Sequence, residues 1–92
     1  MIVRILTEGQ FTVPDSALDE LNQLDDTLLH TCSAQDEKSF EVALKTLLDR
    51  VRELGEPLPD EELKESDFVL PMSDATLEEV EAMMAEDGLI PG

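Results

Sequence analysis

Leu18, Leu21, Leu24, Leu28 and Cys32 recur at spacings of three or four residues, and a second set, Phe40, Leu44, Leu47, Leu48, Val51 and Leu54, follows the same rule. An α-helix turns once in about 3.6 residues, so each set lines one side of a helix and must be buried. Ser33 to Asp36 breaks the period between them. A connection that short makes the two helices pack antiparallel. Asp15 or Ser16 is placed to cap the first helix and Asp36 the second, because a short polar side chain there accepts from exposed backbone N–H groups. Gly55 is a natural stop for the second helix, and Pro57 forbids its continuation. Arg50 and Arg52 stand in its last turns, where cations suit the helix dipole.

The remainder reads as short strands and one more helix. Met1 to Leu6 is an apolar run rich in β-branched residues, interrupted only by Arg4. Thr7 to Gln10 is a turn in which Gly9 can take positive φ, and Phe11 to Val13 returns as the second strand of a hairpin. Pro14 ends that pairing, having no N–H to donate. Glu56 to Ser66 is expected to be a polar loop, with Leu58 and Leu63 pinning it to the core. Phe68, Val69 and Leu70 form a third strand, ended by Pro71. Asp74 or Thr76 opens the last helix, and Thr76 with Glu79 matches a capping box. Leu77, Val80, Met83 and Met84 are its inward residues, and Gly88 its stop. The expected fold is one α+β domain over residues 1–92. A small, mostly antiparallel sheet, the N-terminal hairpin plus a third strand, packs against three helices.

Charge sorts the possible partners. Asp and Glu number 23 against 6 Lys and Arg, a formal net charge of −17. Such a field repels nucleic acid and anionic lipid, both of which need cations on the protein side. It attracts basic surfaces and divalent cations. No basic residue lies between Arg4 and Lys38, and none follows Lys64. Asp15, Asp19 and Asp26, with Asn22 between them, line an acidic face of the first helix. Two readings of that face stand: an ordinary solvated surface, as in a wholly acidic halophilic proteome, or a site for a cationic partner. The tail Leu89-Ile90-Pro91 likewise either packs back on the core or is a docking peptide. Asp15, Asp19, Asp26, Leu89 and Ile90 are the candidate partner-binding residues.

Reactive constellations are not expected. His30 and Cys32 are two residues apart, about 200° around a helix, which separates them as metal ligands or as a catalytic pair. Cys32 continues the leucine stripe and reads as a small core residue; His30 reads as a surface residue. Asp25 lies nearest the stripe's edge, which is usually wet, so no carboxylate has the apolar pocket that raises a catalytic pKa. Asp60, Glu61 and Glu62 would hold calcium weakly, without the alternating ligands and central glycine of an EF-hand. The four glycines are scattered rather than grouped into a phosphate loop. Phe11, Phe40 and Phe68 fall on core faces, away from any base-stacking role. The expectation is a protein that is not an enzyme, with no cofactor, metal or nucleic acid. One cysteine permits no internal disulfide, which fits a reducing compartment. Glu8 falls where the apolar region of a signal peptide would run, and no apolar stretch approaches the ~20 residues of a membrane span. The expected location is the cytoplasm.

Several stretches taken together resemble the PspA-associated family, PspAA. They are MIVRI at 1–5, EGQ at 8–10, LNQLDD at 21–26, LLDRVRELGEPL at 47–58, SDFVLP at 66–71, DATLEEV at 74–80 and GLIPG at 88–92. The resemblance implies an accessory role beside PspA, the phage shock protein of the envelope-stress response, a coiled-coil protein similar to ESCRT-III that coats stressed membranes. It implies no catalytic motif. The expected function is a non-catalytic adaptor or regulator that binds a PspA-like coiled coil. Through that partner it would reach the inner face of the membrane without inserting in it. The alternatives are a self-associating structural module, hence a homo-oligomer, and a weak divalent-cation sensor.

Overall fold

The computed structural model of the chain describes residues 1–59, 64–84 and 89. The chain opens with a hairpin of β1 (Ile2–Ile5) and β2 (Gly9–Thr12), in which Ile2 faces Thr12 and Ile5 faces Gly9. The turn uses positive φ at Gly9 (111°), as expected, but also at Thr7 (73°). Beyond Pro14, Asp15–Ala17 forms one 3-10 turn that runs into α1 (Leu18–Ala34). Neither Asp15 nor Ser16 caps it, contrary to expectation. The 3-10 turn itself leads the backbone in, a common device at helix N-termini, and Asp15 instead accepts from the Met1 amine at 3.1 Å.

α1 ends at Gln35 in the left-handed region. Asp36 then caps α2 (Glu37–Leu54) as read from the sequence, accepting from the Ser39 N–H at 3.2 Å. An Arg50–Glu20 ion pair joins the last turns of α2 to the first turn of α1, so the two helices run antiparallel. Gly55 ends α2 in extended backbone, its N–H donating to Val51 O.

Two pairings complete the sheet, in the order β3–β2–β1–β4. The first residues of the expected polar loop form a short strand, β3 (Glu56–Pro57), antiparallel to β2. Pro57 is tolerated there because β3 is an edge strand. Leu58 also donates its N–H to Gln10 O at 2.9 Å. β4 (Phe68–Leu70) lies on the other side of β1 and runs parallel to it, with Arg4 beside Val69. Two of the three pairings are antiparallel, as the expected mostly antiparallel sheet requires. Asp67 fastens the approach to β4 from both sides. It donates its N–H to Ile2 O and accepts from Ile2 N–H, each at 2.7 Å.

Strand alternation sorts the sheet's two faces. Val3, Ile5 and Leu70 are fully buried, while Arg4 and Val69 are exposed on the opposite side. Leu21, Leu28, Leu44, Leu47, Leu48 and Val51 come from the two helical stripes and are fully buried too. Each such side chain contributes about 1.5–3 kcal/mol of transfer free energy. α3 (Leu77–Met83) packs on α1 and adds Leu77 and Val80. Its capping box is formed: Glu79 N–H donates to Thr76 Oγ1 at 3.2 Å, and Thr76 N–H to Glu79 Oε1 at 3.1 Å. Met83, expected inward, is exposed at the helix end, while Met84 packs partly against the core.

Candidate binding surface

The acidic residues singled out on the first helix do not form one unit. Asp19 and Asp26 are exposed, seven residues apart and so two turns along one side of α1. Asp15 belongs to the preceding 3-10 turn, and its carboxylate is engaged by the amine of Met1.

Arg50 and Arg52, by contrast, are spent on pairs within the molecule. Arg50 pairs with Glu20, with one of the two contacts at 3.2 Å, and with Glu53 at 3.0 Å. Arg52 pairs with Glu8 on the hairpin turn and with Asp49 at 2.7 Å. These hydrogen bonds hold the Glu8 and Glu20 carboxyls below the usual carboxylate range and push both guanidinium groups up. Arg4, Lys38, Lys45 and Lys64 form no ion pair among the described residues. Among the described residues most of the acidic excess therefore faces solvent unmatched.

Asp25 corrects the sequence reading. Its place at the edge of the stripe was expected to be wet, yet it is 2% exposed. Leu89 returns over this side of α1 and donates its backbone N–H to Asp25 Oδ1 at 3.0 Å. A buried carboxylate needs such donors. The Leu89 side chain packs partly against the core. Ile90, the other tail candidate, lies outside the described residues, as do Gly88, Pro91, Leu63 and the acidic loop residues Asp60, Glu61 and Glu62.

Cys32 is buried in the core and His30 is exposed, as their spacing required. Burial, with Glu81 nearby, pushes the Cys32 thiol up. Among the described residues no three His, Cys, Asp or Glu side chains come together as a metal site. None of the described helices is long and apolar enough to cross a membrane.

One surface was missed by reading each helix alone. α1 and α2 leave between them an open groove of 410 Å³ lined by Leu24, Thr27, Thr31, Lys38, Ser39, Val42, Ala43 and Thr46. Val42 is 67% exposed. Arg50 and Glu20 stand one turn beyond Thr46 and Leu24, so their ion pair bounds the groove at that end. The signal lay in Val42, an apolar residue outside the buried stripe of α2, and in three threonines on the facing edges of the two helices.

Comparison with curated proteins gives no match, and comparison with solved structures gives none. The PspAA family profile, described as PspA-Associated protein, matches residues 1–92, the whole chain given. The hairpin, the two striped helices and the strand at Phe68–Leu70 are thus those of a chain that belongs to the PspAA family.

Proposed function

We propose that the protein is a non-catalytic adaptor that binds a PspA-like coiled-coil partner and acts with it in the membrane-stress response. The observation that carries this is the full-length family match together with a net charge of −17 that the protein's own cations do not cover. PspA-Associated is the family's printed description, and an unmatched acidic surface favours a partner that brings cations. The non-catalytic part is supported by what the most chemically useful side chains are doing. Cys32 is packed in the core with its thiol pushed up, and Asp25 is engaged by the backbone of the returning tail. In this reading the protein reaches the membrane through its partner.

Isothermal titration of the protein with PspA from the same organism tests the reading. Binding is expected, and it should weaken by about tenfold or more between ionic strengths of about 0.05 M and about 0.5 M, because salt screens exposed charges. Absence of binding at low salt would overturn the adaptor assignment. Equal affinity at both salt levels would remove its electrostatic part.

A further inference from the structure

We propose that α3 and Leu89 act as a strap that opens as a unit from α1 while the rest of the fold stays closed, and that the face it uncovers receives a partner helix bearing Lys or Arg among apolar residues. The second half rests on the adaptor reading and gives it a surface.

The strap covers one face of α1. Asp25 and Cys32 are seven residues apart, two turns along the same side of that helix, and both are buried. Leu89 closes over the first, its backbone N–H donating to Asp25 Oδ1 at 3.0 Å. α3 closes over the second. The Gln35 side-chain amide donates to Cys32 O at 2.9 Å and to Glu81 Oε2 of α3 at 3.0 Å. Glu81 is near enough to help push the Cys32 thiol up.

This cover is the part most easily lifted. α3 has seven residues and buries Leu77 and Val80; a helix that short keeps its shape through packing. Its capping box lies wholly between Thr76 and Glu79 and travels with it. β4 stays paired with β1, so the hinge falls between Leu70 and Thr76. No cation spans the seam. α1 carries Asp19, Glu20, Asp25 and Asp26, α3 carries Glu78, Glu79 and Glu81, and neither holds a Lys or Arg. Like charges on two packed helices oppose closure. Elsewhere arginine joins the elements: Arg50 ties α2 to Glu20 of α1, and Arg52 ties it to Glu8 of the hairpin turn. An incoming Lys or Arg supplies what the seam lacks. It is also a stronger donor to the Asp25 carboxylate than the Leu89 N–H it displaces.

The lone cysteine reports the opening. Full-length protein is labelled with a disulfide reagent at urea concentrations below the unfolding transition. Wild type is expected to react slowly and at a rate independent of urea, because a local opening exposes little new surface. Leu89→Pro removes the donor N–H, and Asp25→Ala removes its acceptor. Each is expected to raise that rate about tenfold, with urea melts confirming that the variant folds. A wild-type rate that follows global unfolding down to zero urea, or variant rates equal to wild type, overturns the strap. Leu89→Pro is also expected to bind PspA from the same organism about threefold or more tightly, since its open state is more populated. Opening with unchanged or weaker binding overturns the docking half and leaves the adaptor reading standing. No binding by either protein overturns the adaptor reading and the docking half with it, while the labelling rates still decide the strap.

Discussion

The carboxylate of Asp25, midway along α1, accepts the backbone N–H of Leu89 at 3.0 Å, joining residues 64 apart in the chain. It does so while 2% exposed, where a donor left without its acceptor costs about 1–3 kcal/mol. Asp25→Ala is therefore expected to lower unfolding free energy by about that amount, read from urea denaturation. Asp25→Asn keeps an acceptor oxygen and should lose less.

Gly55→Ala is expected to destabilise the protein for a steric reason. The backbone at Gly55 is extended, with φ −95° and ψ 157°, which any residue adopts. A Cβ there would stand 2.8 Å from Val51 O, 3.0 Å from Phe11 Cβ and 3.1 Å from Val13 Cγ2. The first of these is a backbone atom of the last turn of α2 and cannot step aside cheaply. A loss of about 1–3 kcal/mol is expected, measurable by thermal or urea unfolding.

Arg52→Ala should produce a stability loss that depends on pH. Arg52 holds the Glu8 carboxyl below its ordinary value of 4.5. A group whose pKa is depressed on folding contributes stability above its unfolded pKa and loses it as pH falls through the folded one. The gap between wild type and Arg52→Ala should be about 0.5–1 kcal/mol near neutrality and should close as pH drops below 4.5. Removing a cation from a chain of charge −17 also adds repulsion that acid relieves, so both effects have the same sign. Urea unfolding of both proteins across the acidic range checks this.

Cys32 should be nearly inert in the native state. It is 2% exposed, and burial pushes its thiol up, which disfavours the reactive thiolate. A disulfide reagent is expected to modify it slowly in buffer and rapidly in denaturing urea. Fast native labelling would place the side chain outside the core.

Local features were legible in the sequence because their causes are local. The two apolar stripes, the Asp36 cap, the Thr76–Glu79 capping box and the hairpin each depend on residues a few positions apart, and each is present. The main features that were missed involve distant partners. Glu56 and Pro57 look like loop until β2 is placed beside them. Asp25 looks solvated until Leu89 is brought back over it. Gly55 reads as a helix stop, and it is one, but the close approach of Phe11 and Val13 appears only once the sheet and α2 meet. The candidate site followed the same rule. Asp19 and Asp26 could be placed on one helix face from spacing alone, whereas the groove takes a wall from each of two helices and belongs to neither.

The parallel pairing of β1 with β4 sets an order of assembly. β1 takes an interior place in the sheet, and its neighbour on one side, Phe68–Leu70, is synthesised more than sixty residues after it. Contacts that distant in sequence must wait for chain closure and are slow to form. A nascent chain that has made both long helices still presents an open β1 edge, so the sheet is completed only after Phe68–Leu70 has emerged.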